Sequence, residues 1–217
     1  MIITIEGIDG AGKNTLVRAL RERLDAEVIA FPRYTESIHA QLAADALHGK
    51  MGDLIDSAHG MATLFALDRA AVREDLLRFG PQGPERGRVL LLDRYVASNA
   101  AYTAARLRSP EAFEWVHDLE FGTLALPKPD LQVWLATPVA LAATRATSRA
   151  ASHSDRALDA YESDASLQER TSAAYGQLAE QSWAGPWVVA ESTVPAEEIA
   201  DRIVSELQRT TQLGGSR

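Results

Sequence analysis

The chain has 217 residues, 46% apolar and 24% charged, with a formal net charge of −8 and no cysteine. That length suits one α/β domain with a sizeable core, and the missing thiols exclude disulfides, thiolate metal sites and cysteine nucleophiles. An acidic chain is a poor match for nucleic-acid backbones, where affinity rests on many Lys and Arg contacts to phosphate, so no nucleic-acid partner is expected.

In chain order, Ile2 to Glu6 is a short β-branched apolar run ended by Gly7 and reads as a buried strand. Its Met-Ile-Ile-Thr-Ile-Glu start has no basic region, so no signal peptide is expected. Lys13 to Leu24 has helical spacing, and Val28 to Phe31 is a second strand closed by Pro32. Ser37 to Leu47 and Ile55 to Phe79 carry helical periodicity. Gly80 to Gly87 holds two prolines and three glycines and reads as a loop.

Val89 to Leu92 is aliphatic on both faces, as a strand covered by helices on both sides requires. Helices are predicted over Val96 to Leu107 and Glu111 to Phe121, a strand over Leu131 to Ala136, and helices over Val139 to Thr147, Ala160 to Ser182 and Ala196 to Thr210. A last strand, Trp187 to Ala190, precedes the final helix. This alternation predicts an α/β fold with a parallel, doubly wound sheet of about five strands, helices on both faces, and ligands at the carboxyl ends of the strands. The expected organisation is a single domain over 1–210 with a disordered tail over 211–217. No stretch approaches the ~18 apolar residues of a membrane span, so no membrane partner is expected and the expected setting is cytoplasmic.

Gly7-Ile8-Asp9-Gly10-Ala11-Gly12-Lys13 matches G-x-x-x-x-G-K between a strand and a helix, the context this phosphate-binding motif needs. Its glycines let backbone N–H groups turn inward around phosphate oxygens. The following helix presents its N-terminus to the same anion, and Lys13 adds a mobile charge. ATP is the expected nucleotide, with Mg²⁺ beside it. After Lys13 the motif calls for Ser or Thr, yet Asn14 stands there and Thr15 follows. Asn is a weaker metal ligand than a hydroxyl, so the metal is expected to rest on carboxylates and phosphates. Asp9 is the obvious carboxylate, although a turn residue bonding its own backbone is an alternative.

A P-loop does not by itself separate GTPases, motors and small-molecule kinases. The guanine signature Asn-Lys-x-Asp is absent. At Asp93-Arg94-Tyr95 an apolar strand ends in an acid and a base, beside the loop. Such an acid can orient Mg²⁺ and its waters, and such an arginine can bridge donor and acceptor phosphates. A surface ion pair is the bland alternative.

Ile5-Glu6-Gly7-Ile8-Asp9-Gly10-Ala11-Gly12-Lys13, Phe31-Pro32-Arg33-Tyr34 and Leu92-Asp93-Arg94-Tyr95 occur in order. Together they resemble the thymidylate kinase family, over nearly the whole chain from Ile2 to Val189. The runs Ala62 to Arg69 and Val96 to Tyr102 resemble its actinobacterial branch, as does the departure at Asn14. The resemblance implies transfer of the γ-phosphoryl group of ATP to dTMP, giving dTDP and ADP, by a P-loop nucleoside-monophosphate kinase fold in a homodimer. Another nucleoside monophosphate or deoxynucleoside kinase, or a non-catalytic ATP-binding module, stays open on the residues alone.

For the acceptor site the resemblance implies Phe31, Arg33 and Tyr34 after the second strand, with Arg33 clamping the dTMP phosphate through its bidentate fork. Phe65 would stack on thymine and Arg69 donate to O4. Phe65 and Arg69 are four residues apart and share a helix face, with Asp68 off it. Asn99 would meet the base edge, and the Tyr102 ring would pack against C2′ and favour deoxyribose. Read alone, Phe65 would be a core residue and Asn99 a cap.

Arg145, Arg149 and Arg156 are spaced through a polar segment that suits a lid over about 147–158. The resemblance makes Arg149 the catalytic lid arginine and gives Arg145 to ATP; an ordinary exposed charged loop is the alternative. It also makes Asp159 an organiser of the lid arginines, Tyr161 a neighbour of dTMP, and Glu162 a metal-shell carboxylate. Lys13, Arg94, Arg149 and Asp9 are thus the expected catalytic set, and Asp9 and Glu162 the expected metal carboxylates.

Overall fold

The computed structural model describes residues 1–152 and 159–214, with the side chains of 149–152 and 209–214 left out of the description. Five parallel strands form one sheet: β1 (Ile2–Glu6), β2 (Ala26–Ala30), β3 (Val89–Asp93), β4 (Leu131–Ala136) and β5 (Trp187–Glu191), in the order β2-β3-β1-β4-β5. β1 lies at the centre and every one of its residues is buried. It pairs with β3 from Ile2 opposite Leu90 and with β4 from Ile3 opposite Leu131. Strands covered on both faces need apolar side chains in both directions, which Ile2, Ile3, Ile5, Leu90, Leu91 and Leu92 provide. The edge strand β2 instead buries only Ala26 and then alternates partly exposed and exposed positions.

Helices cover both faces of the sheet. α1 (Lys13–Arg23) packs on α10 (Ala196–Gly214), and α5 (Val96–Leu107) packs on α9 (Ala165–Glu180). Between them in sequence come α2 (Ile38–Leu47), α3 (Ala58–Ala70), α4 (Arg73–Leu77), α6 (Glu111–His117), α7 (Val139–Ser152) and α8 (Ala160–Ser163). α2 and α3 form a second small apolar cluster through Ala43, Ala46, Leu47 and Met61, with Phe65 and Tyr161 against it. This cluster builds one wall of the site.

Most element bounds agree with the sequence reading to a residue or two, and the larger differences have local causes. The helix expected over Ile55 to Phe79 is broken into a 3₁₀ turn at Gly52–Asp56, α3 and α4. Ser57 caps α3 by accepting from the N–H of Gly60. The helix expected from Ala160 to Ser182 is split because Asp164 caps α9, its carboxylate accepting from Leu167 N–H at 2.9 Å. The helix expected over Glu111 to Phe121 turns into a π-helix at Asp118–Thr123. α7 continues past Thr147 to Ser152, because only helix-compatible residues lie between. α10 likewise continues into the expected tail as far as Gly214, where the first glycine after Ala196 stands. Residues 215–217, and Arg156 in the expected lid, lie outside the described residues.

Candidate active site

The phosphate loop leaves the central strand at its carboxyl end and returns as α1. Gly7, Gly10 and Gly12 have φ of 147°, 79° and 98°, so the chain turns through conformations that side chains resist. Gly10 has a second constraint: a Cβ there would lie 2.1 Å from the carbonyl oxygen of Ala142 in α7. The loop is therefore pressed against α7. Thr137 Oγ also donates to the Ala11 carbonyl at 3.2 Å. Lys13 is buried, and its ammonium donates to the carbonyls of Gly7 and Ile8 at 3.2 and 3.0 Å. Burial and the nearby Arg94 push its pKa down to about 8, against the pull of Asp9, Asp93 and Glu6. Asn14 and Thr15 are both exposed in the first turn of α1.

Arg94 follows β3 with a left-handed backbone, φ 67°, which a non-glycine residue holds only when its surroundings fix it. Here the surroundings are many. Its N–H donates to Ile5 O at 3.0 Å. Nη1 donates to Gly7 O at 2.9 Å and to Ser98 Oγ at 3.2 Å, and Nη2 donates to Asp9 Oδ1 at 2.5 Å. Ser98 in turn donates to the buried Glu6 carboxylate at 2.7 Å and shares a bond of the same length with Tyr175. Burial pushes the Glu6 carboxyl above its ordinary range. Burial also pushes Asp9 up, but Arg94, Lys13 and the Tyr102 hydroxyl outweigh it and hold Asp9 at about 2. Asp9 is thus ionised throughout the neutral range.

Beside this pair opens a cavity of about 540 Å³, large enough for a nucleotide. Of the expected acceptor residues, Asp9, Phe31, Tyr34, Phe65, Arg69, Arg94, Asn99, Tyr102, Asp159 and Tyr161 all line it, as does the expected metal carboxylate Glu162. Tyr102 donates to Asp9 Oδ2 at 2.8 Å and its ring stacks on Tyr161, centroids 5.9 Å apart. Arg106 donates to the Tyr161 hydroxyl at 2.5 Å and fastens α5 to the short α8. Asp159 caps α8, accepting from Tyr161 and Glu162 N–H at 2.8 Å, and Glu162 completes the capping box. Phe65 is partly buried against the α2–α3 cluster and also faces the cavity, so it is both a packing and a lining residue.

Arg33 is the expected acceptor residue that the structure keeps out of the cavity lining. Its backbone N–H donates to Asp68 Oδ2 at 2.9 Å and its Nε lies 3.1 Å from Asp68 Oδ1. Asp68, fully buried, anchors the loop after β2, and the residue placed off the binding face on helical spacing is the one that holds Arg33. The arginine turned toward the loop is Arg94. On the other side of the loop, Arg145 is exposed, and a Cβ on Gly12 would lie 3.8 Å from its Nη1. Arg149 falls on the last turns of α7, and its side chain lies outside the described residues.

The sequence reading missed Glu120. It is fully buried in the π-helix, and it takes Arg69 Nε and Nη2 at 2.5 and 2.7 Å and Asn99 Nδ2 at 2.7 Å. Its partners lie 51 and 21 positions away, so no local spacing pointed to it.

A metal can be tested against these donors. Among the described residues no cluster of three or more carboxylates or histidines could hold a metal alone. Asp93 Oδ1, however, is buried with no hydrogen-bond partner at the end of β3, and Asp9 and Glu162 face the cavity. Oxygen donors that leave places for phosphate and water suit Mg²⁺. The residues fit such an ion bound jointly with a nucleotide.

The parallel sheet, the glycine loop on its central strand and the adjoining nucleotide-sized cavity define a P-loop nucleoside-monophosphate kinase fold. A sequence profile described as thymidylate kinase matches residues 5–203. A thymidylate kinase of Mycobacterium tuberculosis is 50% identical over 209 residues, covering 92% of this chain and 95% of its own. A probable thymidylate kinase of Methanoculleus marisnigri is 31% identical over 213 residues, covering 96% and 94%. A solved thymidylate kinase structure from Candida albicans superposes with a TM-score of 0.72 at 20% identity, covering 97% of this chain and 92% of that one. The chain belongs to the thymidylate kinase family.

Proposed function

We propose that this chain binds ATP on the Gly7–Thr15 loop and dTMP in the adjoining cavity, and catalyses γ-phosphoryl transfer to give dTDP and ADP. The observation that carries the reading is Arg94: one guanidinium touches the loop carbonyl of Gly7 and the cavity carboxylate Asp9 at once. A cation so held stands between donor and acceptor phosphates.

A dTMP phosphate oxygen attacks the γ-phosphorus in line. The bond from that phosphorus to the β–γ bridging oxygen breaks, and ADP leaves with the electron pair. The attacking oxygen is already anionic at neutral pH, so no strong base is needed, and catalysis is positioning and charge neutralisation. Lys13 and Arg94 neutralise charge on the transferring group. Asp9 holds Arg94 in place, and Arg149 is assigned to the lid that closes from α7, with Arg145 toward ATP. A Mg²⁺ held by Asp9, Glu162 and the phosphates would supply further charge neutralisation. Phe65, Arg69 and Asn99 take the base, and Tyr34 and Tyr102 flank the phosphate and sugar.

Among the described residues no helix is long and apolar enough to cross a membrane. A cytoplasmic setting and a homodimer belong to the same proposal; family membership supports them. Light scattering on the purified chain tests the dimer.

A coupled ADP-release assay over dTMP, dUMP, dCMP and UMP tests the function. Acceptor-dependent ADP with dTMP preferred is expected. Preference for dCMP or UMP would reassign the substrate, and ATP binding without acceptor-dependent ADP would make the chain a non-catalytic module.

A further inference from the structure

Asn99 is buried, and both of its amide hydrogens are committed. Nδ2 donates to Ala62 O at 3.0 Å and to Glu120 Oε1 at 2.7 Å. A flipped amide would set its oxygen against a backbone carbonyl and a carboxylate, neither of which can donate. Glu120 cannot switch to donating, because it is paired through both oxygens with Arg69 Nε and Nη2, in an ion pair 4% and 0% exposed. This leaves Asn99 Oδ1 as the amide's free acceptor and Nη1 as the Arg69 nitrogen that Glu120 does not engage. Both residues line the cavity.

We propose that Glu120, which lines no part of the cavity, sets its base preference by locking the Asn99 amide as an acceptor. A base with a donor at N3 and an acceptor at C4, thymine or uracil, meets complementary groups. Cytosine has the opposite pattern and meets acceptor against acceptor and donor against donor, each an unpaired buried polar contact. The proposal rests on the dTMP reading above. Glu120 is a positioning residue in it: it acts through Asn99.

The test is the ratio of kcat/KM for dTMP to that for dCMP, measured with ATP. Loss of folded enzyme lowers both values equally, so the ratio separates positioning from a purely structural role. In E120Q one of the two acceptor-only groups is gone, and Ala62 O alone is left to hold the Asn99 amide against turning over. The ratio is expected to fall at least ~10-fold, the scale of one mismatched polar contact. In an N99A background, adding E120Q is expected to change the ratio by less than about twofold, since the lever has been removed. An unchanged ratio in E120Q, or the same fall in the N99A background, overturns the proposal. Should E120Q not accumulate folded, E120D reads the same ratio with the same outcomes. It keeps a charge for Arg69 but is one methylene too short to reach both partners. If the wild type itself does not turn over dTMP, the functional reading fails instead.

Discussion

Arg94 Nη2 lies 2.5 Å from Asp9 Oδ1, joining the end of β3 to the interior of the phosphate loop across 85 residues of sequence. Neither side chain is free to wander. Arg94 is also held by Gly7 O and Ser98, and Asp9 by Tyr102. Groups held this way stabilise developing charge without reorganising during the reaction.

Arg94→Ala should therefore lower kcat by at least ~10²-fold, the typical loss when one preorganised donor is removed. Steady-state kinetics with saturating ATP and dTMP measures it. Turnover like that of the wild type would remove Arg94 from the chemistry.

Lys13, with its pKa pushed down to about 8 by burial and Arg94, is cationic below that pH and neutral above it. Only the cation attracts nucleotide phosphate. The profile of kcat/KM for ATP, which reports the free enzyme, should be level below pH 8 and fall toward ~10-fold per unit above it. Lys13→Arg should lose this falling limb, because a guanidinium stays charged. A wild-type profile level up to pH 10 would contradict the assignment.

The site was legible where its chemistry is local in sequence. Gly7 to Lys13 is a contiguous turn whose glycines and lysine each answer a need of the loop, so spacing alone exposed it. Phe65 with Arg69 and Asn99 with Tyr102 are turns of single helices, and the family resemblance assigned them together. The strand order β2-β3-β1-β4-β5 does not follow from periodicity, which records burial but not neighbours. Asp68 and Glu120 were invisible for a related reason: their partners Arg33 and Arg69 stand 35 and 51 residues away. An isolated Asp or Glu on a helix reads as a solvated charge until the fold supplies its cation.

That distinction gives a stability contrast. Asp68→Ala takes from Arg33, only 11% exposed, its buried carboxylate and leaves it only the exposed Glu36 at 3.6 Å, and should cost about 3 kcal/mol, as breaking a buried pair does. Asp45→Ala removes an ion pair with Lys50 whose partners are 45% and 69% exposed, and should cost less than ~1 kcal/mol. Urea unfolding of the two variants compares them directly, and equal midpoints would sink the argument.

Gly10→Ala forces a Cβ to within 2.1 Å of Ala142 O at a φ of 79°. The loop or α7 must shift. A stability loss of about 2 kcal/mol is expected, together with at least ~10-fold weaker ATP binding, since the loop amides would be displaced by a fraction of an ångström or more. Thermal unfolding and nucleotide titration measure the two effects. A variant matching the wild type in both would show that the loop and α7 are not in close contact.

The most direct measurement is a crystal structure with dTMP and a non-hydrolysable ATP analogue bound together. The triphosphate should lie on the Gly7–Lys13 amides and the dTMP phosphate beside Arg94, the two facing each other across its guanidinium. Phosphates of either nucleotide found away from both Lys13 and Arg94 would contradict the account at its centre.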